Sequence, residues 1–284
     1  MSGSVEKSSQ ACKGLFLFVV IFYFLMNSYH TNHEIVLHHT ENEYGDTWVH
    51  EKGRVRCISF AKPELTPVFQ SCIILDDHNK LIFNYTKMAL GGLYLNPDPK
   101  QILMIGLGGA SIANSLQMMF PDASNEIVEI NPTVYDVAKR YFFFQPSNHT
   151  IVTIGDGISF LENAVIDKKS YDFIIVDAFN NDGVVPVFVT EEFSITIKKA
   201  LSPRGVVVIN TLFNSEHNTM YTKVFGKFIS LQQATSREII AINGDFPTIE
   251  TIEQNASDLE EKFKEQGVMK DWLIEIFKQY NTFS

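Results

Sequence analysis

Basic residues are in deficit: 23 Lys and Arg stand against 33 Asp and Glu in 284 residues, a formal net charge of −10. Duplex nucleic acid is gripped through Lys and Arg contacts to phosphate, so this balance argues against it as a partner and is compatible with a cationic substrate. Long apolar runs are also missing. The longest, Leu15 to Met26, falls short of the roughly 20 residues of a full membrane span. Cysteine is scarce, at three residues. No cysteine or carboxylate spacing completes a ligand set around His30, His33, His38 and His39, so no metal centre is read there. No internal repeat or low-complexity tract is present.

What is there begins with the amino end. Lys7 and Lys13 precede the Leu15–Met26 run, and no small-residue cleavage site follows it. Residues 1–30 therefore read as an uncleaved signal anchor and hydrophobic helix, with a removed signal peptide, and so a secreted protein, or a buried helix as alternatives. The anchor reading makes this a single-pass membrane protein with a lumenal or extracellular catalytic domain, and the histidines a solvated stretch beside the membrane. Cys12 beside the run is a site for acylation or a plain thiol. Cys57 and Cys72 read as buried thiols in strand-like segments, with a bridge as the alternative in an oxidising compartment.

Residues 31–96 carry short β-branched and aromatic segments at 47–51, 55–60, 71–75 and 81–85, with a turn at Asp76-Asp-His-Asn, which predict a small antiparallel β layer. A helix is expected over 87–95, ended by Asn96-Pro-Asp-Pro. Residues 97–284 alternate strand and helix signals, as an α/β domain does. Asn131 and Thr190 sit where they cap helices running to Tyr141 and about Leu201. Strands are expected at 205–210 and 236–243. Leu259, Phe263, Trp272, Ile276 and Tyr280 share roughly one face, which reads as packing on the sheet or against a second copy in a homodimer.

The organising stretch is Gln101 to Ser111. Five apolar-rich residues run into Gly106-Leu107-Gly108-Gly109-Ala-Ser and then a helix signal to Phe120: a strand, a glycine turn and a helix start. Glycine admits positive φ and close approach of a ligand, while free N–H groups at a helix start favour polar or anionic groups. The third position of the dinucleotide fingerprint is Ser111 here, which weakens the motif taken alone. Three acids reinforce it, because each closes a predicted strand. Glu129 follows the glycines by roughly 20 residues, where a carboxylate can accept from both ribose hydroxyls. Asp156 lies between Gly155 and Gly157, and Asp177 ends Tyr171-Asp-Phe-Ile-Ile-Val. Acids at successive strand ends border the crevice where open α/β sheets bind ligands, and they indicate an adenosyl-type cofactor.

These residues resemble a known family. Ile105-Gly-Leu-Gly-Gly, Val128-Glu-Ile-Asn-Pro, Gly155-Asp-Gly, Val176-Asp-Ala-Phe, Thr190-Glu-Glu-Phe and Leu201-Ser-Pro-Arg-Gly are similar, in order and spacing, to the spermidine synthase-like and methyltransferase-like 13 branch of the class I adenosylmethionine-dependent transferases. The resemblance spans about Glu43 to Leu212. It implies a Rossmann-like sheet with helices on both faces, preceded by the small β layer, and S-adenosylmethionine or its decarboxylated form as cofactor. It implies cofactor contacts at Gly106, Leu107, Gly108, Gly109, Glu129, Ile130, Asp156, Gly157 and Asp177, with Asp177 also the catalytic proton acceptor. Tyr85, Asn180 and Asp182 are implied at the substrate, an amine-bearing acceptor that is either a protein or a polyamine.

Departures from the polyamine synthase pattern bear on the reaction. The aspartate of the synthases' glycine loop is Gly109 here, and their second aspartate after the catalytic one is Asn180, with Asp182 as a nearby substitute. Thr86 and Lys87 follow the family tyrosine in place of glutamine or histidine and then glutamate. Each change removes a polar group that aminopropyl transfer uses. The sequence therefore favours methyl transfer, with aminopropyl transfer and cofactor binding without turnover as alternatives.

Overall fold

A computed structural model describes residues 34–62, 69–180, 183–212, 218–233 and 236–280. Two sheets carry the architecture. The first is antiparallel, in the order β1 (Glu34–Asn42), β2 (Gly45–Lys52), β3 (Val55–Ser59) and β4 (Ser71–Ile74). The second has seven strands. Its spatial order is β7 (Thr150–Ile154), β6 (Ser124–Glu129), β5 (Gln101–Ile105), β8 (Tyr171–Val176), β11 (Leu201–Leu212), β13 (Ser236–Ile242) and β12 (Phe228–Gln233). The first five of these run parallel, and β13 is antiparallel to both of its neighbours. Between β8 and β11, a two-residue pair, β9 (Phe179–Asn180) and β10 (Gly183–Val184), forms a small ribbon.

The parallel strands read as apolar runs because both faces are covered. In β11, Val206 and Val208 enter one core while Val207 and Ile209 enter the other, as a two-residue period requires. Helices Asn84–Leu90, Ser111–Met119 and Pro132–Tyr141 and the carboxyl-terminal helices cover the first face; Gly157–Ile166, Glu191–Ala200 and Asn218–Phe225 cover the second. Chain order reverses between β5 and β8, and at such a switch point the carboxyl ends of the strands leave a crevice open. The small sheet is fastened to this edge: Arg56 donates to the Tyr141 carbonyl at 2.8 Å and Asn42 to Asn131 Oδ1 at 2.8 Å.

Several expectations change. The segment 81–85 is not a strand: the Leu81 N–H donates to the Gln266 carbonyl and the chain enters a helix at Asn84–Leu90. That helix starts before the predicted 87–95 and tightens into a 3₁₀ turn, Gly91–Tyr94. A short apolar run lacks the length to distinguish the two periods. Gly92 lets this turn close on the sheet, since a Cβ there would stand 2.6 Å from the Val208 side chain. The carboxyl-terminal face is divided among three helices, Ile249–Asp258, Glu260–Glu265 and Lys270–Tyr280, which bury Leu259, Phe263, Leu273 and Phe277.

The Leu15–Met26 run, Cys12, His30 and His33 lie outside the described residues. Among the described residues no helix is long and apolar enough to cross a membrane. The hydrophobic amino-terminal helix expected there lies outside the described residues, and the membrane-anchored location, with no described helix to support it, is withdrawn. His38 bonds Thr40, and His39 stacks on Trp48 and pairs with Asp46. Cys57 and Cys72 are not separate thiols. They are register partners on β3 and β4 and are joined by a disulfide, because the strand pairing sets the two side chains face to face.

Removing that bridge should destabilise the fold through the loop it closes. For a separation of 15 residues, the paired change Cys57→Ala with Cys72→Ala is expected to cost about 3 kcal/mol in urea unfolding. An unchanged midpoint in oxidised protein would show that the small sheet holds this loop without it.

Candidate functional site

The β5–glycine-turn junction is closed by backbone. The Gly106 N–H donates to the Val128 carbonyl at 2.8 Å, and the Asp177 N–H donates to the Ile105 carbonyl at 2.9 Å, so the ends of β5, β6 and β8 are tied together. Gly106 has φ +92°, and a Cβ there would lie 2.2 Å from the Asp177 carbonyl oxygen. No larger residue fits. Gly108, at φ +53°, has nothing within 4 Å of a built Cβ, because the turn opens here into the crevice.

The cavity along these strand ends measures about 770 Å³. Gly106, Leu107, Gly108, Gly109, Glu129, Ile130, Asp156, Gly157, Asp177 and Tyr85 all line it. The residues expected at the cofactor thus meet in one place. Asn180 lies on β9, where its backbone pairs with Gly183; its side chain and all of Asp182 lie outside what is described. The lining also includes Ser71, Asn210, Thr211 and Ser236, which the sequence pattern did not single out.

Each acid has a different environment. Glu129, only 6% exposed, accepts from the Leu107 N–H at 2.8 Å on one oxygen and from the Asn131 N–H at 2.9 Å on the other. Burial raises its pKa, and the backbone N–H groups of its own turn offset part of that. Each oxygen retains acceptor capacity after these bonds. Asp156 caps the Gly157–Ile166 helix, accepting from the Ser159 N–H at 2.9 Å and its hydroxyl at 2.8 Å. Burial there opposes the charge, but the Ser159 and Ile158 donors outweigh it and hold the carboxyl below its ordinary value.

Asp177 is partly open to the crevice and otherwise enclosed by protein. It accepts from Asn210 Nδ2 at 2.8 Å, yet burial outweighs that bond and lifts its pKa to about 6. Tyr85 donates to the Gln70 carbonyl at 2.8 Å. Burial first, and then the charges of Asp177 and Glu238, push its hydroxyl well above the usual range. Glu238 is a fourth acid that the sequence reading passed over. It is 0% exposed, and neither oxygen has a hydrogen-bond partner among the described residues. Burial and the nearby Asp177 raise its pKa well above the carboxyl range. The available signal was a Ser-Arg-Glu start to a strand that continues in Ile and Ala, an arrangement that ordinarily reads as a solvated strand end.

The Gly109 position is full. A Cβ there would meet Ser71 Oγ at 2.7 Å and Phe142 at 3.3 Å, and that Ser71 hydroxyl is 2.9 Å from Ser111 Oγ. The aromatic run nearby is largely core: Phe142 and Phe144 are buried, while Phe143, at φ +56°, stacks on His78.

A parallel sheet with a glycine turn at its switch point and a carboxylate on that turn defines the Rossmann-like α/β class. Comparison with known proteins narrows this: the chain belongs to the spermine/spermidine synthase domain family, which matches residues 83–239. A polyamine aminopropyltransferase of Vibrio vulnificus is 35% identical over 243 residues, 83% of this chain and 81% of the relative. An eEF1A lysine and N-terminal methyltransferase of Bos taurus is 31% identical over 149 residues, 47% of this chain but 21% of the relative. Human methyltransferase-like protein 13, solved in complex with SAH, shares the fold at a TM-score of 0.60 and 23% identity, over 64% of this chain and 93% of that one. The relatives are transferases of two kinds, and their names do not carry the sequence-based preference for methyl over aminopropyl transfer.

The two loop glycines should separate under substitution. Gly106→Ala combines positive φ with a 2.2 Å backbone clash and is expected to cost at least about 3 kcal/mol in urea unfolding. Gly108→Ala carries only the conformational penalty of roughly 1–2 kcal/mol. Equal losses would mean that the Gly106–Asp177 contact is not what closes the turn.

Proposed function

We propose that this protein transfers an alkyl group from an adenosyl sulfonium to an amine nitrogen, and that the group transferred is methyl. The observation that carries the choice of group is Ser71 standing where a side chain at Gly109 would have to go. The resemblance places there the carboxylate that polyamine synthases use on the aminopropyl amine, so in this chain that amine loses its partner. The residues fit S-adenosylmethionine. The open face at Gly108 accepts close approach, and Glu129 retains acceptor capacity for ribose hydroxyls. Asp156, Gly157 and Ile130 border the adenine side, and Leu107 continues the floor.

When bound, the sulfonium supplies an electrophilic carbon that a neutral amine attacks, the C–S electron pair returning to sulfur. The chain's task is positioning and proton removal. Asp177, held by Asn210 with its pKa near 6, is ionised at neutral pH and close in basicity to what a proton acceptor needs. Tyr85 walls the acceptor side, and the resemblance adds Asn180 and Asp182 as acceptor contacts. The acceptor class is an amine on a protein or a polyamine.

Aminopropyl transfer is the second reading, favoured by the Vibrio vulnificus relative's name and the extent of that match. Incubation with labelled S-adenosylmethionine and with its decarboxylated form separates the two. Methylated acceptor with S-adenosylhomocysteine supports methyl transfer. Methylthioadenosine with a new polyamine supports the other. Calorimetric cofactor binding with neither product would leave a binding protein without turnover.

Asp177→Asn is expected to lower turnover by roughly a hundredfold or more while cofactor affinity stays within a few-fold. Loss of folding or of cofactor binding in that variant would contradict its assigned role. In the wild type, kcat/KM should fall as pH drops through about 6, where Asp177 takes up a proton. Stability should respond in the opposite sense. A raised folded-state pKa gives a contribution that is full below the ordinary carboxyl value and lost as pH rises through about 6.

A further inference from the structure

Glu238 is buried, and its carboxyl makes no hydrogen bond among the described residues. On β13 it is the register partner of Asn210, the residue that donates to Asp177. Directly opposed residues project to the same side of a sheet, so Glu238, Asn210 and Asp177 share the face covered by helix Asn84–Leu90, which carries Tyr85. The cavity reaches this corner through Tyr85, Asp177, Asn210 and Ser236. Neither Glu238 oxygen is hydrogen-bonded and none of the side chain is exposed. Its neighbour Arg237 does not neutralise it from the same side: the guanidinium projects to the opposite face, where Nε donates to Ser230 Oγ at 2.7 Å and a second nitrogen donates to Asn218. A buried carboxyl without a donor is destabilising, and its persistence calls for a partner such as water, an ion or a ligand.

We propose that Asp177 and Glu238 together form a cation site beneath Tyr85, which takes the primary alkylammonium of the acceptor before it is deprotonated. This rests on the amine-alkylation reading and gives it a second negative group on the acceptor side, where the chain lacks the carboxylates of the polyamine synthases. Glu238 is a positioning residue in this scheme, acting through the charge it presents to Asp177 and the bound cation. The groups facing it are Asp177, whose charge makes the Glu238 carboxyl harder to ionise, and the Tyr85 hydroxyl, which both acids make harder to ionise. An arriving ammonium reverses that balance, so the carboxyl ionises as the cation binds and a proton is released.

The test uses the full chain saturated with S-adenosylhomocysteine and titrated calorimetrically with putrescine and, separately, with Nα-acetyl-lysine methylamide, in buffers of different ionisation enthalpy. The wild type should bind at least one of these amines with release of a proton; which one distinguishes a free polyamine from a lysine side chain. Glu238→Gln, close in shape, should weaken that binding roughly tenfold or more and abolish its share of proton release, with S-adenosylhomocysteine affinity unchanged within twofold. Glu238→Met should melt at or above the wild-type temperature while losing amine affinity. Binding of neither amine by the wild type, or equal affinity and proton release in the Gln variant, overturns the proposal, as does a Met variant that melts lower and binds amine normally. Amine binding lost in the Gln variant, with no product from either form of the cofactor in the wild type, would keep this site and sink the alkylation reading. Turnover with an unaltered acceptor KM in the Gln variant would do the reverse.

Discussion

The missing Cβ of Gly106 is the constraint from which the site follows. With φ at +92° and the Asp177 carbonyl oxygen 2.2 Å from where a Cβ would stand, the first glycine lets β5 and β8 finish side by side. The hydrogen bonds Gly106 to Val128 and Asp177 to Ile105 then lock three strand ends into one rim. Everything chemical hangs from that rim. Glu129 is held by the turn's own Leu107 N–H, and Asp177 is delivered to the crevice by the same backbone that packs on the glycine. A change at this point would disturb the fold and the site together, whereas Gly108, one step further, serves only the opening.

Electrostatics divides the rim into two ends. Asp156 is held ionised by the Ser159 donors it caps, and Glu129 is kept in place by two backbone N–H groups. Those acids have partners within the fold. At the other end, among the described residues, Asp177 has a single donor, Asn210, and Glu238 has none, and burial raises both. A protein interior tolerates such a pair poorly when empty. The imbalance locates the end of the cavity at which a positive group completes the structure, and it lies on the side walled by Tyr85.

The small antiparallel sheet contributes more than a wall. Ser71, at the start of β4, reaches the glycine turn and fills the space beside Gly109, while its hydroxyl pairs with Ser111. A residue from outside the nucleotide-binding fold therefore sets what the loop can hold. The disulfide between β3 and β4 closes the loop that leads to Ser71, which couples the bridge to the shape of the pocket. The neighbouring helix Asn84–Leu90 does the same from the other side, seating Tyr85 near Asp177 because Gly92 lets its continuation press onto the sheet.

Parts of the molecule whose signals are local are legible in residue order alone. The order of strands and helices from Gln101 to Ala200, the caps at Asn131 and Thr190, and the convergence of Gly106, Gly108, Glu129, Asp156 and Asp177 on one crevice all follow from short-range periodicity and turn chemistry. Tertiary structure decided what depends on contacts across the chain. It turned 81–85 from a strand into a helix entrance and joined Cys57 to Cys72. It also buried Glu238. In one dimension that residue is a charge at the end of an apolar strand; only pairing with β11 under a covering helix removes it from water and sets it against Asp177, because the cost of a charge depends on everything packed around it and not on its neighbours in sequence.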